Sequence, residues 1–202
     1  MPKVVPEYKE KAMRNIIKAG ASVFAEKGYH LARMDDIAKK LGVSKGAIYQ
    51  YFKSKEHLFY EVVDFFLKSQ KDEVLSIILS EELMRIASTE FIAMKIERAL
   101  QVRAFGLDLF IEASRNDTLR IRVTEMYEKI YDEFLAHIDD LKKKGVIKKH
   151  ADVGVIWRGI VALRDGLLNS MYFGANAEDV KKTWTRITTL LLKEILTDRV
   201  AS

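Results

Sequence analysis

Two serine–lysine steps, Ser44-Lys45 and Ser54-Lys55, put cations where a folded chain on its own has little use for them. Each serine holds the position of a helix N-cap, so each lysine sits in a first turn. The positive end of the helix dipole already lies there, and a further cation costs ~0.3–1 kcal/mol. An external anion reverses the sign, because free backbone N–H groups and a lysine can share a phosphate. Two such places so close together imply a phosphate backbone. Between them, Gly46 interrupts a helix at a cost of about 1 kcal/mol relative to alanine, which close approach of a phosphate would explain. Tyr49 can offer its hydroxyl to a phosphate or its ring to a thymine methyl. Gln50 suits a bidentate contact to adenine in the major groove.

These side chains need a frame. Asp35 and Asp36 open a helix that ends near Leu41, Gly42 supplies a tight turn, and Ser44 starts a second helix over about Lys45–Phe52. Ile48 and Phe52, at i, i+4, form its inner side, with Phe24, Ile37, Leu41 and Val43 as partners. Tyr49 and Tyr51 could also be half-buried members of that core. A first helix over about Glu7–Lys27 is stopped by Gly28, and a fourth follows Ser54 towards Ser80. Prolines occur only at positions 2 and 6, and no strand pattern is found, so the expected class is all-α.

Charge is distributed unevenly. The chain carries 34 Lys and Arg against 29 Asp and Glu, but residues 1–60 hold 12 against 6 and the remainder 22 against 23. The basic excess is thus confined to the segment around the two lysine steps, the footprint expected of a nucleic-acid surface. There is no cysteine, which excludes disulfides, thiolate metal sites and cysteine nucleophiles. His30, His57, His137 and His150 lie on separate segments, and none follows a glutamate by three residues. Nucleotide-binding, hydrolase and zinc motifs are missing too, so no catalytic residue, metal or cofactor is expected. The N-terminus lacks a signal-peptide core and no stretch is apolar enough to span a bilayer, so a soluble, cytoplasmic protein without membrane contact is expected.

The run GYHLARMDDIAKKLGVSKGAIYQYFKSKEHLF, residues 28–59, resembles the DNA-binding half of the TetR family of transcriptional regulators. The matching residues are Gly28, Ile37-Ala38, Gly42-Val43-Ser44, Gly46, Tyr49, Tyr51-Phe52, Lys55 and Leu58, and the likeness spans roughly residues 10–60. It implies a three-helix helix-turn-helix domain (residues 1–54) and a larger C-terminal helical bundle (residues 55–202) for ligand binding and dimerisation. Backbone contacts to double-stranded operator DNA are implied at Ser44, Lys45, Gly46, Tyr49 and Lys55, with Gln50 and Tyr51 completing the candidate surface. Where the family commonly caps its second helix with Thr or Ser, this chain has Arg33-Met34, and Arg33 stands as a charged substitute.

Beyond residue 60 the chain reads as further helical segments: Val74–Ile86, Phe91–Ser114 interrupted by Gly106, Thr118–Lys144, Asp152–Phe173 and Ala177–Leu196. Gly159, Ala162, Gly166 and Ser170 form a small-residue strip, and Trp184, Ile187, Thr188, Leu191 and Ile195 an apolar one. Together they are the expected homodimer interface, in keeping with the two-helix dimerisation that the resemblance implies. The resemblance also implies a small-molecule pocket linked to the DNA-binding part through the fourth helix. Phe65, Phe66, Phe105, Phe110, Tyr127, Tyr131 and Trp157 are candidate lining residues, with Arg103, Asp108, Arg158 and Asp165 as polar anchors. This lining points to a lipophilic effector, acyl chains included. The expected function is a ligand-responsive repressor on a palindromic operator. Two other readings stay open: a sequence-tolerant architectural DNA binder, and a helical ligand-binding protein with a vestigial DNA-binding domain.

Overall fold

With no proline after Pro6, nothing in the chain forbids continuous helix, and helix is what forms. The computed structural model describes residues 6–80 and 82–201; residues 1–5, where no leader is expected, lie outside that part. In order come α1 (Pro6–Leu31), α2 (Met34–Leu41), α3 (Lys45–Tyr49) and α4 (Lys55–Leu79). A 3-10 turn (Leu83–Ala87) precedes α5 (Thr89–Gln101), α6 (Arg103–Arg115) and α7 (Asp117–Lys143). Then follow α8 (Val153–Tyr172), α9 (Ala177–Ile195) and the short α10 (Asp198–Ala201). Among the described residues the only strand-like pairing is a bridge between Ile147 and Leu196. None of the described helices is long and apolar enough to cross a membrane.

Capping follows side-chain chemistry. Asp152 accepts from the N–H of Val155 at the head of α8, and Asn176 from those of Glu178 and Asp179 at the head of α9. One expected boundary moves. The segment 91–114 breaks at Val102, whose φ of −109° and ψ of 20° leave helical values, and not at Gly106, which lies inside α6. A single glycine inside a packed helix is tolerated at about 1 kcal/mol, so it does not have to end one.

The helices form two compact units whose membership does not follow chain order. The first takes the chain up to Ser69 together with Gln101–Met126, and the second takes Gln70–Leu100 and the chain from Tyr127 onward. The first unit is built on Phe24, Ile37, Ile48, Phe52, Leu58 and Phe59, all fully buried. Phe59 meets Phe24 edge-on at 5.5 Å, Tyr29 at 4.5 Å and Phe105 at 5.5 Å. Of the expected partners, Leu41 packs at the edge of this core, whereas Val43 points to solvent. Arg122 of α7 reaches α4 in the same unit, with Nε 3.0 Å from both Asp64 oxygens and Nη2 2.7 Å from Glu61.

The second unit centres on Trp184, 1% exposed, which stacks on Phe91 at 5.9 Å and donates its indole N–H to the Ile86 carbonyl at 2.9 Å. Thr188, one turn further along α9, is wholly buried, and its hydroxyl has no hydrogen-bond partner among the described residues. A buried hydroxyl left unpaired costs about 1–3 kcal/mol. Thr188→Val keeps the shape and removes that group, so its melting temperature should rise by roughly 2–4 °C for about 1 kcal/mol regained. Thermal unfolding followed by circular dichroism checks this; a lower melting temperature would mean that the hydroxyl finds a partner in solution.

Candidate nucleic-acid interface

The turn between α2 and α3 is set by Gly42, whose φ of +67° suits glycine, and whose N–H closes the helix onto the Lys39 carbonyl at 3.2 Å. Ser44 then adopts extended backbone, and its Oγ accepts the N–H of Ala47 at 3.2 Å. That bond makes Ser44 a true cap, with Lys45 and Gly46 as the first residues of α3. The helix is shorter than expected and ends at Tyr49, with Gln50 closing it by an N–H bond to Gly46. Ile48 points inward and is fully buried. Lys45, Gly46, Tyr49 and Gln50 form the outer face and are all exposed, Tyr49 at 43%. Exposed Lys53, kept off the candidate set, lies just beyond them; its N–H donates to Nδ1 of His57 at 3.3 Å.

Gly46 has no internal reason to be glycine. Its backbone is not in the left-handed region, and a β-carbon built there meets only the Ser44 hydroxyl, at 3.9 Å. Lys45, by contrast, is engaged: its ammonium lies 2.9 Å from Asp35. The hydrogen bond and charge of Asp35 hold the Lys45 pKa above its usual value, while nearby Arg33 opposes it. Arg33 is exposed at the head of α2, and its N–H donates to the Asp36 carboxylate at 2.9 Å. That carboxylate also takes Lys27 at 2.7 Å, and these two contacts, with Lys27 the larger, hold the Asp36 pKa down. The basic surplus of this segment is therefore laced with acids, as Lys40 on Glu26 at 2.6 Å also shows.

Two candidates have other employment. Tyr51 is half-buried against the core of the first unit, the competing placement for it. Lys55, expected to hold a phosphate, directs its ammonium at three backbone carbonyls: Tyr29 at 2.7 Å, Ala32 at 3.1 Å and His30 at 3.2 Å. It also lies 4.5 Å from the centre of the Tyr29 ring. Burial lowers its pKa, and the charges of Asp108 and Glu112 work against that. An ammonium has three N–H donors, and here all are taken inside the protein. The Ser54 cap itself forms as expected, accepting from His57 at 3.0 Å.

The candidate pocket residues are not brought together. Phe66 and Phe105 pack in the first unit, 5.7 Å apart, while Phe65, Phe110 and Arg103 are exposed there. In the second unit Trp157 stacks on Phe134 at 4.2 Å, Tyr131 lies beneath the Arg158 guanidinium at 4.3 Å, and Tyr127 is exposed. Asp165 is held by its neighbour Arg164 at 2.8 Å. An apolar cavity of about 20 Å³ lies in this unit, lined by Trp157, Phe134, Leu83, Ile160 and Leu192 among others. It has room for about one water-sized sphere. A polar group missed in the sequence is Lys95, 2% exposed, bonded to Gln70 at 2.5 Å and Glu73 at 3.0 Å. Arg98 joins Glu73 at 2.6 Å. The stripe Phe91, Ile92, Lys95, Ile96, Ala99 was the available signal, since it sets a lysine on the apolar side of α5.

The expected dimer strips divide. Gly159, Ala162 and Gly166 are exposed, with open space beside both glycines, and Ser170 is half-buried with its hydroxyl on the Leu167 carbonyl at 2.6 Å. On α9, Ile187 is exposed and Leu191 half-buried. Trp184, Thr188 and Ile195 are buried in the second unit's own core, so they cannot also meet another subunit and leave the candidate interface. In their place the outward side of α9 carries Leu190, 60% exposed.

Residues 16–62 match the family described as bacterial regulatory proteins, tetR family. Over 173 residues the chain is 31% identical to the fatty acid metabolism regulator protein of Bacillus subtilis (strain 168), covering 84% of this chain and 81% of that one. The chain belongs to the TetR family. The solved structures agree on the fold. A TetR-family transcriptional regulator from Mesorhizobium loti MAFF303099 superposes with a TM-score of 0.77 at 22% identity, over 94% of this chain and 98% of that one. The transcriptional regulator FadR from Bacillus subtilis, solved in complex with stearoyl-CoA, gives 0.62 at 20% identity, over 90% and 98%. TetR-family membership makes the protein a DNA-binding transcriptional regulator with a helix-turn-helix and not an enzyme.

Proposed function

We propose that the protein is a repressor that binds a palindromic operator as a homodimer and is released by a lipophilic effector. Residues 1–54 read the DNA, and residues 55–202 hold the effector and the partner subunit, in the cytoplasm. The observation that carries this reading is the outer face of α3, where Lys45, Gly46, Tyr49 and Gln50 stand exposed over a buried Ile48. Lys45 exchanges Asp35 for a phosphate, Gly46 lets the backbone approach, Tyr49 and Gln50 meet base edges, and Arg33 adds a cation beside them. Lys55 and Tyr51 leave the direct contact set. Repression is the usual mode in this family.

The dimer reading rests on the free sides of α8 and α9. Val155, Gly159, Ala162 and Gly166 recur at helical spacing on one, Ile187 and Leu190 on the other, and their apolar groups are exposed. A second copy covering them would place two reading helices about one turn of DNA apart. An acyl-type effector is supported by the apolar interior of the second unit and by the two relatives, one a regulator of fatty acid metabolism and one holding stearoyl-CoA.

Fluorescence anisotropy on DNA from upstream of the protein's own gene tests the reading. Tyr49→Ala should weaken binding roughly tenfold, the value of one good base or phosphate contact per complex. Lys45→Ala should flatten the dependence of log K on log salt by about two phosphates per dimer, one from each subunit. Wild-type binding that is indifferent to sequence, or that survives both substitutions unchanged, would sink it.

A further inference from the structure

The turn that joins α1 to α2 is capped at both ends by side chains from distant helices. Gly28 has φ +75° and ψ 166°, a combination essentially reserved for glycine, and it bends the end of α1. The turn Tyr29–Ala32 that follows runs directly into Arg33, the first residue of the α2 cap. At its amide end, the N–H of Tyr29 donates to the carboxylate of Asp108 on α6. At its carbonyl end, the ammonium of Lys55 on α4 takes the oxygens of Tyr29, His30 and Ala32. An anion at the N–H end and a cation at the C=O end both match the dipole of the turn. A second link joins the same turn to α6, with His30 Nε2 3.0 Å from Glu112. The fit at Gly28 is close: a β-carbon there would lie 2.6 Å from Asp108 Oδ2.

We propose that Asp108 is a positioning residue for DNA recognition, because its bond to the Tyr29 amide sets where α2, and with it the α3 reading face, begins. The proposal rests on the DNA-binding reading above. It replaces the effector-anchor role expected of Asp108, whose carboxylate is turned to the backbone of α1. Lys55 is its counterpart at the other end of the turn.

Electrostatics alone makes the opposite prediction, which is what gives the test its edge. Deleting a negative charge from a DNA-binding unit raises affinity for any DNA through the long-range field. Loss of a positioning bond lowers affinity for the operator and leaves binding to random DNA in place. The experiment measures both affinities, at one salt concentration, for wild type and Asp108→Asn, using a duplex that the wild type selects from a random-sequence pool and an unselected duplex of equal length. Asp108→Asn is isosteric, and operator affinity should fall roughly tenfold, the loss of a charge-assisted bond, while random-DNA affinity stays level or rises. Operator affinity that is unchanged or higher, or the two affinities falling in parallel, overturns the proposal. Lys55→Met gives an independent reading should the first variant fold poorly. It should lower the ratio of operator to random affinity, whereas a direct phosphate role for Lys55 would lower both affinities alike. If wild type itself shows a ratio near one, it is the DNA-recognition reading that fails and not the role of Asp108 within it.

Discussion

Gly46→Ala should fold at least as well as wild type and lose about a hundredfold in operator affinity, about 1.4 kcal/mol from each subunit of the dimer. The two halves of that expectation have separate causes. Inside the protein the added methyl group meets only the Ser44 hydroxyl at contact distance, and no backbone strain opposes it. Replacing glycine in a helix gains up to about 1 kcal/mol, so the melting temperature should hold or rise by a few degrees. Outside the protein, the methyl occupies the space through which a phosphate reaches the first amides of α3. Thermal melting and anisotropy on the same sample separate the two effects. Wild-type affinity in the alanine variant would show that no backbone approaches there, and would remove Gly46 from the DNA surface.

Trp184→Ala should cost about 3–5 kcal/mol of folding stability, the range for truncating a large buried aromatic. The indole fills the centre of the second unit, stacks on Phe91 and satisfies the Ile86 carbonyl, so the alanine variant loses packing and leaves an acceptor unpaired. Trp184→Phe keeps a ring but not the N–H, and should cost about 1–3 kcal/mol. Leu190→Asp provides the contrast. It lies one and a half turns further along the same helix but faces outward, so the monomer should be affected by no more than about 0.5 kcal/mol, while the dimer dissociates. Urea unfolding and sedimentation measure the two quantities. A Leu190→Asp variant that stays dimeric would move the interface off α9, and a Trp184→Ala variant of wild-type stability would contradict the burial of the indole.

How far the chain could be read beforehand depended on whether one local rule decided the outcome. Ser44, Ser54, Gly42 and Gly28 were legible because capping and left-handed turns need only a few neighbouring residues. The burial of Ile48 and Phe52 followed from one turn of spacing. The α9 stripe was not legible in the same way. Trp184, Thr188, Leu192 and Ile195 form one apolar line and Ile187, Leu190 and Leu191 an adjacent one, and periodicity reports that both are apolar without saying which meets the chain's own core. Lys55 was ambiguous for another reason. A lysine after an N-cap serine has the same local signature whether it meets a phosphate or three carbonyls from twenty-odd residues back, and only the fold distinguishes them. The scattered aromatics Phe66, Phe105 and Trp157 failed as a pocket because aromatic composition carries no information about which core a ring joins.

The small size of the apolar cavity bears on how the regulator would respond over time and concentration. A space of about 20 Å³ cannot admit an acyl chain, so the form described is the closed one and the form that holds effector is a minority state. Apparent affinity is then the intrinsic affinity diluted by the fraction of molecules that are open. Such a protein ignores traces of its ligand and answers only when the supply is sustained. Its threshold can be retuned by substitutions around Trp157 and Phe134 that never touch the effector, since loosening that stack enlarges the open fraction.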